Sequence, residues 1–360
     1  MFLHKNRHCD CVPRHLITSD QDGNPMKKTG LIILALLVSG LANAAVLKIA
    51  TVAPEGSSWM KDMRASAKEI QELTEGRVQI KYYGGGVMGN DAKVLGKIRI
   101  GNMQGGAFTP SALQKIYPEI SLYGLPLTFD SNEEVAYVRA RLDQTIKDGL
   151  EEAGFVSFGF AAGGFAVLMS NVPVTSLSDL KGKKVWVPEG DTISYASTKA
   201  LSLSPVTLPL TDVLTGLQTG LIDIVAMSPI GALVLQWHTK VKFITDLPLI
   251  YTMGFTAIDK KAFNKISPAD QEIMRQVMTR MYVQLNDANI VDNKEALQAL
   301  LNTGIEQVAL AENEVTEIRS ILRQSNRDMA EQGEYSLVLY ERMLQYLQEY
   351  RVGSASAAGN

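Results

Sequence analysis

The chain has 360 residues, is 46% hydrophobic, and carries 35 Lys and Arg against 38 Asp and Glu, a formal net charge of −3. That length exceeds what one hydrophobic core usually serves, so two domains are expected, and the slightly acidic balance excludes a nucleic-acid-binding footprint. Two cysteines and four histidines leave little material for metal or thiol chemistry.

Residues 1–25 hold both cysteines (Cys9, Cys11) and three of the histidines (His4, His8, His15), with no apolar periodicity. They read as an upstream extension ahead of the true start. Met26, Lys27 and Lys28 then precede the apolar run Leu31–Val38 and the small-residue stretch Ala42-Asn43-Ala44-Ala45. A basic start, a short apolar middle and an A-x-A site make residues 26–44 a secretory signal, too short to span a bilayer. Cleavage before Ala45 leaves 30 basic and 35 acidic residues, net −5, with no cysteine and His238 as the one histidine. The expected product is a soluble protein of a Gram-negative periplasm.

Leu47–Val52 reads as a first strand, followed by a helix capped at Ser57 or Ser58 with Trp59, Met63, Ala67, Ile70 and Leu73 on one face. Val78–Tyr83 alternates as a second strand, and Asp91 opens a helix through Ile98. Ser131 and Glu134 have capping-box spacing ahead of the stripe Val135, Val138, Leu142, Ile146 and Leu150. Short strands are expected at Lys184–Val187, Val206–Leu208, Ile222–Met227 and Val241–Thr245, with a helix from Thr211 ended by Gly220. Such alternation predicts an α/β fold with largely parallel sheets covered by helices. From the cap Ser267-Pro268 to Asn302 neither Gly nor Pro interrupts the chain, so one helix about 50 Å long is expected to brace both domains. Helices near Glu312–Ala330 and Tyr335–Tyr350 follow, and residues 352–360 read as a disordered tail.

Gly84–Gly89 matches G-x-G-x-x-G between a strand and a helix, but it follows the second strand, and no acid lies about 20 residues on, where a ribose would need one. A glycine-rich loop at the mouth of a ligand cleft accounts for it. Hydrolytic catalysis would have to use His238, in Gln236-Trp237-His238, with no cysteine and no nucleophile elbow to partner it. A lone histidine there is more often a packing residue, and it cannot build a histidine-based zinc site unless carboxylates supply the other ligands, of which no cluster is visible. No enzyme activity, metal or cofactor is expected. The tryptophans Trp59, Trp186 and Trp237 fall just after strand ends or on helices that begin there, the edge where open α/β sheets bind ligands.

Five blocks carry more specific information: 82–113 (YYGGGVMGNDAKVLGKIRIGNMQGGAFTPSAL), 117–134 (YPEISLYGLPLTFDSNEE), 176–191 (SLSDLKGKKVWVPEGD), 208–229 (LPLTDVLTGLQTGLIDIVAMSP) and 263–274 (FNKISPADQEIM). In this order they resemble the TRAP transporter solute receptors of the dicarboxylate-binding, DctP-like type. The helix running into Gly220-x-x-Asp223 is the most diagnostic part. The resemblance implies a two-lobed periplasmic-binding-protein-like fold with a long interdomain helix. It places lobe I at 45–165 plus 253–292, and lobe II at 166–252 plus 293–351. It also implies delivery of the ligand to small and large TRAP membrane subunits.

Members of that family commonly hold a substrate carboxylate with an arginine in the block that here reads KKVWVP, and with a second arginine in the block that here reads GGFAVLMSN. This chain has Trp186 and Ala166 at those places, so the usual carboxylate clamp does not carry over. An unpaired carboxylate in a dry cleft faces several kcal/mol of penalty, whereas burying about 200 Å² of hydrocarbon at roughly 25 cal/mol per Å² yields ~5 kcal/mol of gross driving force. The expected pocket is apolar: Trp186, Ala166, Phe165, Leu210, Met227, Trp237 and Trp59, with Ser228, Gln236 and Ser57 as its polar groups. The expected ligand is apolar or amphipathic, as in relatives that work beside a TPR-repeat protein. Two alternatives stand: an organic acid held by backbone amides, Lys93 or Arg99, and a periplasmic carrier without a transporter.

Overall fold

The computed structural model describes residues 44–358. The upstream extension with Cys9, Cys11, His4, His8 and His15, and the leader up to Asn43, lie outside the described residues. No helix among the described residues is long and apolar enough to cross a membrane.

Strand β1 (Ala45–Thr51) leads into helix α1 (Ser58–Leu73), whose cap Ser57 accepts a hydrogen bond from Met60 N at 3.3 Å, and then into β2 (Val78–Tyr83). Helix α2 (Asp91–Arg99) is capped by Asn90, and β3 (Gly105–Phe108) is too short and glycine-rich to be read from its pattern. Helix α3 (Asn132–Glu152) starts where Ser131 Oγ accepts from Glu134 N at 3.2 Å. The expected capping box is only half formed, because the Glu134 carboxylate accepts instead from Asp130 N and from Arg351. Next come β4 (Phe155–Val156), β5 (Ala161–Ser170), β6 (Lys184–Pro188), α4 (Thr192–Ala200) and β7 (Ser204–Leu208). Helix α5 (Val213–Thr219) stops at Gly220, whose φ of 69° is left-handed and suits glycine at a helix end. Strand β8 (Ile224–Met227) and helix α6 (Pro229–Val234) precede β9 (Phe243–Asp259). The chain ends with α7 (Pro268–Asn302), β10 (Glu306–Val308), α8 (Glu312–Glu331) and α9 (Leu337–Ala358). Helix α9 extends to Ala358, into the stretch 352–360 expected to be a disordered tail; alanine, the best helix former, recurs in it.

The sheet order is β2-β1-β3-β9-β5-β8-β6-β7. Pairing is parallel at β1/β2, β1/β3, β6/β7, β6/β8 and β10/β9. It is antiparallel at β3/β9, β4/β9, β5/β8 and β5/β9. The sheet is therefore mixed rather than largely parallel, because β5 and the 17-residue β9 run from one lobe into the other against their neighbours. β2, β1 and β3 flank the C-terminal end of β9, whereas β8, β6 and β7 lie beyond β5 and the N-terminal end of β9.

Helix α7 braces the two lobes. Its first half buries Met274, Val277, Met278, Met281 and Tyr282 in the core with Ile49, Met63 and Ile70, and its last turns bury Leu300 in the core that holds Trp186 and Trp237. Between these, α7 is stitched to β5. Asn286 accepts from Ala162 N at 2.6 Å and donates to Phe160 O at 3.1 Å, and Asn293 donates to Gly163 O at 3.1 Å. Gly164, with φ 84°, lies at the irregularity between Ala162 and Gly164 where β5 slips against β9, and a Cβ there would stand 2.6 Å from Asn293 Nδ2. Glycine is required at this crossing on both counts.

Candidate functional site

A cavity of 820 Å³ opens at the C-terminal ends of β1, β6 and β8, between the two lobes. The volume is toward the upper end of the ~300–1,000 Å³ common for ligand sites. Its mouth is held by bonds from lobe to lobe. Asn90 Nδ2 donates to Glu189 Oε2 at 2.9 Å, Gln114 Nε2 donates to Thr192 Oγ1 at 3.1 Å, and Thr192 N donates back to Gln114 Oε1 at 3.2 Å.

Trp186 is 6% exposed and lines the cavity. Its Nε1 donates to Leu208 O at 3.0 Å, and its ring stands edge-on to Trp237, centroids 5.1 Å apart. The indole's one polar atom is thereby used by the backbone, and carbon is what remains to meet a ligand. Ala166, Leu210, Met227, Ser228, Trp59 and Ser57 line the same cavity. The Trp59 ring lies against β9 at Gly254, where a Cβ would come within 2.8 Å of it, and its Nε1 is buried without a partner.

Three of the expected residues do not line the cavity. Phe165 follows strand alternation to the face opposite Ala166 and packs edge-on against Tyr251, centroids 5.5 Å apart. Trp237 is 1% exposed and buttresses Trp186 from behind. Gln236 is exposed in a left-handed turn, φ 60°, before the short helical segment that carries Trp237. His238 is bonded through Nδ1 to Ala232 O at 3.2 Å. Among the described residues no group of three or more His, Asp or Glu is placed to hold a metal.

The glycine-rich loop lies outside the cavity wall. Gly85 N and Gly86 N donate to Ala53 O and Thr51 O at 2.8 and 3.0 Å, so two of its amides are unavailable to a phosphate, and Gly86 abuts Thr211 on the rim.

Charge in the cavity is mostly acidic. Asp62, Asp91, Glu189, Asp191 and Asp292 line it, against Arg99 and Lys115. Of the two cations weighed for a carboxylate clamp, Arg99 is at the wall, exposed to solvent, and Lys93 is not at the wall. Burial, and then the charge of Glu189, pushes the Asp91 carboxyl up to about 6. Burial and then Asp292 raise Asp62, and burial raises Asp191 against the opposing pull of its Ser194 hydrogen bonds. A further guanidinium, Arg139, is buried nearby but committed to Asp143 at 3.0 Å and to Phe160 O at 2.7 Å.

A deeper extension of the cavity was not foreseen from the sequence. It runs behind the lobe II sheet and is lined by Leu168, Val185, Ile224, Leu249, Ile318 and Leu322. In the sequence these are indistinguishable from core residues.

Residues 49–332 match the family model described as bacterial extracellular solute-binding protein, family 7. The chain is 26% identical over 208 residues to the uncharacterized protein YiiZ of Salmonella typhimurium, covering 55% of this chain and 63% of that one, just under two thirds of its length. It is 25% identical over 277 residues to the C4-dicarboxylate-binding periplasmic protein DctP of Rhodobacter capsulatus, covering 75% and 82%. Among solved structures it is similar to the sugar acid binding protein DctPAm of Advenella mimigardefordensis in complex with galactonate, with a TM-score of 0.79, 18% identity and coverage of 85% and 98%.

Proposed function

The chain belongs to family 7 of the bacterial extracellular solute-binding proteins, and on that premise we propose that it is the periplasmic receptor of a TRAP-type transporter for a small amphipathic, largely apolar molecule. It captures the molecule between its lobes and delivers it to small and large membrane subunits. The leader in residues 26–44 takes it to the periplasm, and a TPR-repeat protein is a further candidate partner there. Lobe I comprises 45–165 and 253–292, and lobe II 166–252 and 293–351, so that the three crossings fall on β5, β9 and α7.

The observation that carries the ligand class is Trp186. With its N–H bonded to Leu208 O and its ring backed by Trp237, it offers a rigid hydrocarbon wall. Ala166, which lines the same cavity, adds no polar atom, and the cavity's acids outnumber its cations. An anionic ligand would lack a countercharge at this wall and meet repulsion at the rim. Calorimetric titration with galactonate and with C4-dicarboxylates tests the reading: binding weaker than millimolar is expected, and micromolar binding would overturn it.

A second reading, a carboxylate receptor with a different clamp, is supported by Arg99 at the wall and by relatives named for acids. It requires that Arg99→Ala abolish binding of such an acid.

A further inference from the structure

We propose that the extension behind the lobe II sheet is a chamber for a hydrocarbon chain, and that the ligand is a single-chain amphiphile whose head stays in the cleft. The inference rests on the amphipathic-ligand reading above and adds to it a specific place and shape for the apolar part.

One wall is a single face of the sheet. Leu168 of β5 is in register with Ala226 of β8, and Ile224 of β8 is in register with Val185 of β6, so apolar side chains of three strands meet there. Leu247 and Leu249 of β9 continue that wall. The opposite wall is helical. Ile193, Ser197 and Leu201 recur every four residues along α4 and its end, while Ile318 and Leu322 face them from α8, which packs against α4.

The packing around this space is divided. Leu168, Val185 and Ile224 belong to one small cluster, and Leu247, Ile318 and Leu322 to another. Leu177, Leu201 and Leu249 touch both clusters yet remain only partly buried, and Leu201 and Leu249 line the cavity. Protein interiors close to crystal-like density and rarely leave voids larger than a water molecule. An apolar space between sheet and helices that is continuous with the ligand cleft is one that a ligand fills.

The chemistry of the walls selects the occupant. None of the charged residues at the cavity wall lies on these strand faces, and Asp191, at the start of α4, is taken up by capping that helix, accepting from Ser194 N at 2.8 Å and Ser194 Oγ at 2.6 Å. Thr198 Oγ1 is already bonded to Ser194 O at 2.7 Å, and Ser197 Oγ is buried without a partner. A sugar acid, with a hydroxyl on nearly every carbon, would find only the α4 hydroxyls of Ser194, Ser197 and Thr198 here and none on the strand face. A methylene chain needs none.

Titration calorimetry with straight-chain alkanoates and the matching 1-alkanols, from butyl to hexadecyl and below their aggregation limits, reads the chamber directly. Affinity should rise about fourfold for each added methylene in both series, the equivalent of roughly 0.8 kcal/mol per buried CH₂, and then level off once the chamber is full. Ala226→Phe, on the sheet wall beside Leu168, should take up part of the chamber and bring the plateau to shorter chains. Should that variant fail to fold, the wild-type length series still decides. Binding of the alkyl compounds without dependence on chain length beyond butyl overturns the chamber and leaves the amphipathic reading standing. Failure of both series to bind, with galactonate or a C4-dicarboxylate binding instead, overturns both.

Discussion

The indole of Trp186 meets that of Trp237 edge-on, ring centroids 5.1 Å apart and planes at 85°, so the residue facing the cleft is held by one that never reaches it. Aromatic pairs of this geometry contribute about 0.5–1.5 kcal/mol beyond their buried area. Trp186→Arg would place a permanent cation against a ligand without a countercharge and break both the pair and the bond to Leu208 O. Affinity for the best-binding 1-alkanol of the length series should fall more than tenfold, at least about 1.4 kcal/mol. Trp186→Phe keeps an aromatic wall and should lose much less, though the lost hydrogen bond should lower its stability by roughly 1 kcal/mol. Titration of both variants, after thermal melting establishes that they fold, decides. Unchanged affinity in a folded Trp186→Arg would remove Trp186 from the pocket.

Closure should respond to acid. Asp91 comes from lobe I and Glu189 from lobe II, and burial at the mouth, followed by the charge of Glu189, raises the Asp91 carboxyl from 3.8 to about 6. A raised carboxyl disfavours the charged form, so the closed state carries its full penalty above about pH 6 and is relieved progressively as pH falls from there toward 3.8. Apparent ligand affinity should therefore be flat above about pH 6 and strengthen as pH falls from about 6 to about 4. Asp91→Asn should flatten the profile. An identical pH slope in wild type and Asp91→Asn would exclude this carboxyl as the cause.

At the crossing of β5 and α7, Gly164→Ala should destabilise the protein by roughly 1–3 kcal/mol, because φ 84° strains any L side chain and the new Cβ meets Asn293. Asn293→Ala relieves the clash but orphans Gly163 O and Ile230 N, which it now bonds at 3.1 and 3.3 Å. Denaturant melts of the two single variants and the double variant measure the coupling. Strict additivity would mean that the two positions do not share this contact.

The mature protein should begin at Ala45, the first residue of β1, whose N–H donates to Arg77 O at 2.7 Å. N-terminal sequencing of periplasmic material checks it. A start at Met1 or Met26 would contradict the leader assignment.

The first strand-helix-strand unit and the long helix were legible because each depends on local chemistry: alternation at Val78–Tyr83, a Ser-Pro start at Ser267, and 35 residues without an interrupting Gly or Pro. The direction of the crossing strands was not. Val241–Thr245 reads as a short strand because Pro248 breaks the pattern. In the fold Pro248 falls where β9 slips against β5, between Thr245 and Ile250, and the strand resumes beyond it. Trp186 and Trp237 look alike in sequence, and only the tertiary arrangement of β6 and the turn after α6 sends one to the cleft and the other behind it. The chamber left no signal for the same reason, since a leucine lining a void and a leucine filling a core share one pattern.

The most direct test of the central claim is native mass spectrometry of the protein taken from periplasm, followed by identification of the released molecule. The account predicts one amphipathic molecule per chain, with a hydrocarbon portion and no more than a small polar head. A compact hydrophilic acid such as galactonate, bound one to one, would contradict it.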